Sequence, residues 1–250
     1  TVYTNGGNTG GVNAFNFVDG SAKWHSALNF YDQWTPAVDA NYVYAYLGAS
    51  CIGCNDAGLN VINKSDGTLA FRIQDSLFTW KGWSMYGSPV IASSDAVIAV
   101  NGRTKYYSAD PNFPINASLT SFNIAAHTVN WSITASYWGN PAVANGVVYA
   151  TNYNPYRLEA RSEATGALLW SWRPTRSDDT GFYGDVIATD NMVFVSTNRR
   201  VYAISLTTHQ AVWSYWKAGD MAISANGVLY ITGKNSNDES DGTLAAVNLK

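Results

Sequence analysis

The sequence predicts an all-β protein built from a repeated unit of four strands, and three observations support this prediction. Short runs of β-branched and aromatic residues recur along the 250-residue chain, and such runs are typical of strands. No stretch of convincing length has the periodicity of a helix. An aromatic residue also closes one unit after another, at Trp24, Phe71, Trp131, Trp170 and Trp213.

The first two strands of each unit, named A and B here, are joined by a tight turn. Strand A is a short apolar segment that Pro often opens, and the turn is commonly Asn-Gly or Asp-Asn, which favours a hairpin. Strand B is the β-branched and aromatic run. The A strands are predicted at 36–38, 89–91, 141–143, 186–188 and 222–224, and the B strands at 2–3, 43–46, 96–100, 147–150, 193–195 and 228–231.

The last two strands, C and D, alternate apolar and polar residues across a turn and end on the closing aromatic. These segments cover 14–24, 60–71, 119–131, 158–170 and 201–213. Four positions before the closing aromatic stand Gly20, Gly67, His127, Gly166 and His209. Gly adopts positive φ without steric cost, and His visits that region more readily than most residues. The fixed offset therefore indicates one turn geometry in all five units.

The distance between closing aromatics is close to the roughly 40–50 residues of four-stranded propeller blades. We therefore predict a single β-propeller domain over 1–250, with about six blades near 1–29, 30–78, 79–135, 136–175, 176–217 and 218–250. The first blade lacks strand A and the last lacks strand D. Either the chain is a fragment of a longer ring, or its open blade edges are covered by something else, for example through self-association, because exposed edge strands invite pairing.

The composition excludes several classes of protein. With 46% hydrophobic residues the chain can bury a core, so it is not disordered. Only 13% of residues are charged, against about 25% in ordinary soluble domains. The net charge of −3 supplies no basic field for nucleic acid. No apolar run approaches the ~18 residues of a transmembrane segment, and the start of the chain, which lacks a signal-like segment, is expected to be already processed.

Two segments, 158–170 and 201–213, resemble the quinoprotein or PQQ-like propeller repeat, whose docking pattern is Ala-x-Asp-x-x-Thr-Gly-x-x-x-Trp. The resemblance covers most of the chain and is strongest over 139–250. It implies that the repeat Trp and Gly lock one blade against the next. The residues to which this packing role carries over are Trp24, Trp131, Trp170 and Trp213.

The same family includes PQQ-dependent dehydrogenases, the outer-membrane assembly lipoprotein propellers and non-catalytic PQQ-like repeat proteins, so it does not fix the chemistry. Its dehydrogenases are similar in having an adjacent-cysteine disulfide and a calcium ion beside the cofactor. This chain has Cys51-Ile-Gly-Cys54 instead, and nothing matches the catalytic Asp with its calcium ligands. We expect no catalytic residue, no metal site and no cofactor, with PQQ disfavoured.

Two loops allow more than one interpretation. The segment 235–242 clusters acids and amides that could hold calcium, but its spacing misses the EF-hand pattern, which favours a solvated hairpin tip. The Cys51–Cys54 pair could be redox-active, although it lacks the helix N-terminus of such motifs. We prefer a local disulfide, which places the protein in an oxidising compartment, secreted, extracellular or periplasmic.

The segment before each A strand is aromatic and enters the strand at the mouth of the propeller channel. Together with short polar residues, these rings suit sugars, whose C–H faces lie on rings while their hydroxyls find hydrogen-bond partners. Alternatively, the rings fill the wedges between blades. The candidate ligand-binding residues are Trp34, Trp83, Tyr86, Tyr137, Trp138, Asn140, Phe182, Tyr183, Asp185 and Trp216.

These features predict a non-enzymatic extracellular binding or scaffold propeller. Its partner would be a glycan or a protein, recognised through the aromatic-lined mouth, with assembly through the open blade edges as a further expectation. The alternative is a propeller enzyme that uses the same mouth, either a quinoprotein oxidoreductase or a polysaccharide lyase. An enzyme needs titratable groups there, and the sequence supplies Asp185 and Asp220, with Arg173, Arg176 and Lys217 as charge partners.

Overall fold

The computed structural model describes residues 1–6, 10–28, 35–47, 57–75, 88–93, 95–101, 117–234 and 240–249. Strands, turns and irregular segments make up these ranges. Over the ranges given, the chain has no helix of the length and apolarity that crossing a bilayer requires.

The strands form six antiparallel sheets, each built from consecutive strands of the chain. The first sheet contains β1 (Val2–Asn5), β2 (Val12–Phe15) and β3 (Ala22–Ser26); the second contains β4 (Ala37–Val38), β5 (Tyr42–Leu47), β6 (Gly58–Asn63) and β7 (Leu69–Gln74); the third contains β8 (Val90–Ile91), β9 (Ala96–Asn101), β10 (Ala117–Asn123) and β11 (Thr128–Ala135). The fourth contains β12 (Tyr137–Ala144), β13 (Val147–Tyr153), β14 (Tyr156–Ser162) and β15 (Leu168–Trp172); the fifth contains β16 (Phe182–Ala188), β17 (Met192–Thr197), β18 (Val201–Ser205) and β19 (Ala211–Tyr215); the sixth contains β20 (Gly219–Ile223), β21 (Val228–Lys234) and β22 (Ser240–Asn248).

This arrangement confirms the predicted all-β propeller of about six repeats. The first sheet has three strands, which correspond to B, C and D, and the last has three, which correspond to A, B and C. The chain divides into two compact units, Thr1–Tyr137 and Trp138–Lys250. Each unit contains three of the sheets and is described on its own.

The closing aromatic occupies one register in every sheet that has a D strand. It lies opposite a small or β-branched residue of strand C, and a bulge follows immediately. The pairs are Trp24 with Ala14, Phe71 with Val61, Trp131 with Ser121, Trp170 with Ala160, and Trp213 with Ala203. The repeat is therefore a repeat of backbone register as well as of sequence.

The turn between strands C and D also has the predicted geometry. All five residues at the fixed offset have positive φ: 71° at Gly20, 77° at Gly67, 55° at His127, 72° at Gly166 and 57° at His209. The two histidines thus adopt a left-handed conformation that glycine adopts in the other units.

The closing aromatic packs on the turn residue of the following blade, as the family resemblance implies. In the first unit Trp24 covers Gly67, where a Cβ would lie 2.6 Å from the indole ring, and Phe71 stacks on His127 with ring centroids 3.7 Å apart. In the second unit Trp170 stacks on His209 at 4.4 Å. These contacts confirm the packing role predicted for Trp24 and Trp170.

Apolar residues of strands B and C fill the space between neighbouring blades of each unit. In the first unit one cluster joins Tyr44, Leu59 and Val61 to Val97 and Phe122. In the second unit the corresponding cluster contains ten buried residues of β13 to β18: Tyr149, Leu158, Ala160, Trp172, Phe182, Val186, Val193, Val195, Tyr202 and Ile204. Burial of these faces supplies the main driving force for stacking blade on blade.

One strand of the second unit carries a buried ion cluster that the sequence reasoning missed. On β14 the fully buried Glu159 carboxylate lies 2.6 Å from the Arg157 guanidinium and 2.7 Å from that of Arg161. Asn152 donates a further hydrogen bond of 3.0 Å to Glu159. The alternation Arg-x-Glu-x-Arg was a usable signal, because residues two apart on a strand lie on the same face.

Candidate functional site

The A strands of neighbouring blades are joined by a repeated hydrogen bond at their first polar position. In the second unit the Asn140 backbone N–H donates to the Asp185 carboxylate over 3.0 Å. In the first unit the Thr35 N–H donates to the Ser88 hydroxyl over 2.9 Å at the equivalent position. The side chains of Ser88 and Asp185 therefore connect blades, whatever else they bind.

Two glycines allow the A strands of the second unit to approach closely. Gly139 has a φ of 72°, and a Cβ there would lie 2.4 Å from the carbonyl oxygen of Gly184. Gly184 has a φ of 63°, and its Cβ would lie 2.8 Å from Asp220 Oδ1. Both positions combine a left-handed backbone with a close neighbour, so side chains are excluded from them.

Asp220 continues the row of polar residues that begins with Asn140 and Asp185. Its carboxylate forms an ion pair with the Lys234 ammonium at 3.1 Å. Lys234 is mostly buried, whereas about half of the Asp220 side chain is exposed. The row thus presents two accessible carboxylates, those of Asp185 in β16 and Asp220 in β20.

An exposed tryptophan lies just before β20, beside a lysine that is itself paired with polar groups. Trp216 is 67% exposed, and the Lys217 ammonium lies 5.1 Å from the centre of its ring. Lys217 forms a 2.6 Å ion pair with Asp241 and donates a 2.9 Å hydrogen bond to the Thr243 hydroxyl. We call Trp216, Lys217, Asp241 and Thr243 the Trp216 cluster.

The Trp216 cluster holds Asp241 in its ionised form. The hydrogen bond from Lys217, followed by that from the Thr243 hydroxyl, lowers the pKa of Asp241 from 3.8 to about 2. Because the folded-state pKa is depressed, the stability that Asp241 contributes is present above pH 3.8 and is lost as the pH falls towards 2. The ion pair is therefore intact at neutral pH.

Replacing Lys217 by methionine should raise the pKa of Asp241 back towards 3.8, because the strongest donor to the carboxylate is removed. A ¹³C NMR titration of the side-chain carboxyl measures this directly. Lys234→Met is the matched control, since it removes the partner of Asp220 and leaves Asp241 unchanged. An Asp241 pKa that does not respond to Lys217→Met would mean that Thr243 and the backbone alone hold the charge.

The other predicted ligand-binding residues occupy different environments. Tyr137 and Phe182 are buried at 2% and 0% exposure, and the Phe182 ring packs against Tyr156 at 4.4 Å. Tyr183 and Asn140 are half-buried, and Asp185 is exposed. Trp138 lies in β12. The predicted residues Trp34, Trp83, Tyr86, Cys51 and Cys54 lie outside the described ranges, so ligand binding by the first three and the disulfide stay predictions.

A buried carboxylate that the sequence reasoning did not single out lies just before β16. Asp179 is 5% exposed and accepts hydrogen bonds from Tyr202 and, at 2.6 Å, from the Thr197 hydroxyl. Burial, the hydrogen bond to Asp179 and the charge of Asp179 raise the pKa of Tyr202 to about 12. Tyr202 is therefore a hydrogen-bond donor at all physiological pH values, and this cluster anchors the loop to strands β17 and β18.

The carboxylates named above are engaged with protein groups. Within the ranges given above, no three His, Cys, Asp or Glu side chains lie together as a metal-ligating group. Asp185 and Asp220 each already bind a protein group, and Asp241 of the acidic loop is paired with Lys217. The polar side chains of the site can form hydrogen bonds with a ligand. The exposed Trp216 indole can stack on it.

Curated proteins similar to this chain include two enzymes. Lupanine 17-hydroxylase [cytochrome c] of a Pseudomonas species is 34% identical over 86 residues, which cover 30% of this chain and 12% of that protein. Tetrathionate hydrolase of Acidithiobacillus ferrooxidans is 23% identical over 89% of this chain and 53% of its own length. The chain thus spans about half, or less, of the length of these relatives.

Solved structures similar to this chain share its fold at low sequence identity. BamB from Moraxella catarrhalis superimposes with a TM-score of 0.64 at 15% identity, covering 92% of this chain and 66% of that protein. A europium-containing methanol dehydrogenase gives a TM-score of 0.65 at 11% identity, covering 93% of this chain and 59% of the enzyme. One of these two structures is a BamB protein and the other is a dehydrogenase, so the shared fold does not determine the function.

A family model described as outer membrane protein assembly factor BamB matches residues 1–172 and 117–250. These two matches together cover the whole chain. The protein therefore belongs to this family of PQQ-like repeat β-propellers.

Proposed function

We propose that this protein is a non-enzymatic binding propeller that acts outside the cytoplasm and recognises a glycan through the Trp216 cluster. The observation that carries the proposal is the exposure of Trp216, at 67%. The fold buries or half-buries Trp24, Trp131, Trp170, Trp172 and Trp213. An indole ring left in water beside fixed polar groups is typical of a binding surface.

The groups around Trp216 match the chemistry of a sugar. A pyranose ring places its C–H face on an aromatic ring, and its hydroxyls need donors and acceptors at the rim of that ring. Lys217 keeps one N–H donor and the Asp241 carboxylate keeps acceptor capacity, whereas the Thr243 hydroxyl, which donates its proton to Asp241, can only accept. Their mutual hydrogen bonds hold the three side chains in place before a ligand arrives, which reduces the entropy lost on binding.

The proposed location outside the cytoplasm rests on family membership and composition. The family is described as an outer membrane protein assembly factor. The chain is poor in charge and rich in Trp, Tyr, Asn, Ser and Thr. Such a neutral, hydrogen-bonding surface suits a secreted or periplasmic protein.

The proposal is tested by isothermal titration with cellohexaose, chitohexaose and maltohexaose. We expect at least one of these oligosaccharides to bind, and Trp216→Ala to weaken binding about tenfold or more, because the stacking platform is removed. Trp216→Phe should retain part of the affinity. Val212→Ala, which changes an exposed apolar residue on β19 (56% exposed), is the matched control and should bind normally. Absence of binding to all three sugars, or equal affinity of Trp216→Ala, would contradict the glycan proposal.

A second candidate function is an oxidoreductase, which the printed names of the relatives favour. The test is reduction of a dye acceptor by protein loaded with PQQ and calcium, with lupanine and methanol as substrates. Our proposal expects no turnover above the rate of free PQQ. If the protein turned over either substrate, and both Asp185→Asn and Asp220→Asn abolished that turnover, the protein would be an enzyme and the binding proposal would be wrong.

A further inference from the structure

Four arginines lie in two loops of the second unit, one between β15 and β16 and the other between β17 and β18. They are Arg173, Arg176, Arg199 and Arg200, which we call the arginine surface. We propose that the arginine surface binds the carboxylate groups of an acidic glycan, so that the sugar stacked on Trp216 is a uronate. This inference deepens the proposed function and rests on it.

The two loops carry an excess of positive charge on a chain whose net charge is −3. Their acids are Asp178 and Asp179, so the loops have two more arginines than carboxylates. Asp179 is buried and accepts hydrogen bonds from Tyr202 and Thr197, which leaves Asp178 as the exposed acid of the loops. A local positive field of this kind attracts anionic ligands.

The protein does not saturate the donors of the arginine surface. Arg176 Nε lies 3.2 Å from one oxygen of Asp178, and Arg200 Nη2 lies 3.9 Å from the other, which is longer than a hydrogen bond. Arg200 Nε is buried without a hydrogen-bond partner in the described part of the chain. Because a guanidinium has five N–H donors in a planar fork, it can bind a ligand carboxylate through two parallel hydrogen bonds.

Hydrogen bonds fix the two loops against each other. The Asn198 N–H donates to the Gly181 carbonyl over 2.8 Å, and the Thr180 N–H donates to the Asn198 side-chain oxygen over 2.9 Å. Within the turn, the Arg200 N–H donates to the Thr197 hydroxyl over 2.9 Å. The backbone that carries the arginines is therefore ordered before a ligand arrives, which reduces the entropy lost on binding.

The strand register places the arginine surface beside the exposed indole. The last residue pair of β18 and β19 is Val201 with Tyr215, and the residues that follow this pair are Arg200 and Trp216. Paired strands lie about 5 Å apart, so a short oligosaccharide can contact both positions. An aromatic ring for the C–H face of a sugar and a guanidinium for its carboxylate together match a uronic acid.

The inference is tested by isothermal titration with hexagalacturonate, hexamannuronate and hexaguluronate. We expect at least one of these acids to bind about tenfold or more tightly than cellohexaose, chitohexaose and maltohexaose, because charged hydrogen bonds are added. Methyl esterification of the tightest acid keeps its sugar backbone, removes its charge and should remove this advantage. Raising NaCl from about 0.1 to about 1 M should weaken the acid about tenfold, since the screening length falls from about 10 to 3 Å.

Substitutions locate the binding surface. The double variant Arg199→Gln and Arg200→Gln should bind the tightest acid about tenfold or more weakly, with neutral sugars unaffected. Arg199→Gln alone changes an exposed side chain and should weaken the acid about threefold, which keeps the test valid if the double variant does not fold. Arg72→Gln removes an exposed arginine from β7 and is the matched control, with an expected change below about twofold.

The outcomes separate this inference from the proposed function. Equal affinity for the acids and their methyl esters, or for the double variant and the unmodified protein, would overturn the inference and leave a neutral glycan on Trp216. Equal affinity for a thymidine dodecamer would assign the surface to polyanions in general and would also overturn it. If no sugar bound, neutral or acidic, the proposed function itself would be contradicted. Trp216→Ala should weaken both kinds of sugar, and an acid indifferent to it would contradict the shared site.

Discussion

Replacing Trp170 by alanine is expected to lower the free energy of unfolding by about 3 kcal/mol, the lower part of the range for large aromatic residues that leave a cavity. The indole stacks on His209, with ring planes 14° apart, and also contacts Tyr149 at 5.9 Å. Both contacts link it to the packed face between the fourth and fifth blades. Chemical denaturation followed by circular dichroism measures the loss.

Trp216→Ala is the matched control, because it removes the same side chain from an exposed position. Its effect on stability should be within about 1 kcal/mol. If the two substitutions were equally harmless, the closing aromatic would not lock the blades, and the physical reason given for the repeat would be wrong.

Gly139→Ala is expected to cost about 3 kcal/mol, since two penalties act at one position. A non-glycine residue at positive φ costs about 1–2 kcal/mol. The new Cβ would also lie 2.4 Å from the Gly184 carbonyl oxygen, so the backbones of β12 and β16 must separate. That separation would disturb the hydrogen bond from Asn140 to Asp185.

Gly146→Ala distinguishes the two penalties. Gly146 also has a positive φ, 75°, but a Cβ there would meet nothing within 4 Å. This variant should lose only about 1–2 kcal/mol, and the difference between the two variants measures the close approach of the A strands. Equal losses in Gly139→Ala and Gly146→Ala would mean that the A strands separate without cost.

The fold could be predicted from the sequence because its signals are local and repeated. Strands B have β-branched and aromatic runs, and the turn before each D strand has a residue that tolerates positive φ at a fixed distance from the closing aromatic. His127 and His209 show how far this reasoning reaches: their spacing placed them with three glycines, and their φ values of 55° and 57° agree.

The candidate site could be predicted only in part, because accessibility depends on which element covers a residue. Phe182 and Trp216 both precede a predicted A strand, yet Phe182 is buried against Tyr156 at the start of β16, whereas Trp216 is 67% exposed. Nothing in the two segments distinguishes these outcomes. Asp241 was predicted as part of an acidic loop. Its carboxylate pairs with Lys217 because strand pairing brings both side chains beside Gly233.

The central claim, that Trp216 receives a sugar, is tested most directly by the indole N–H signals of the protein labelled with ¹⁵N on its ten tryptophans. Trp216→Phe assigns one signal by its disappearance. On titration with the oligosaccharide that binds most tightly among the three, we expect the Trp216 signal to shift and those of Trp24, Trp170 and Trp213 to stay unchanged. A saturable shift of other signals with Trp216 unaffected would contradict the account and move the binding site elsewhere.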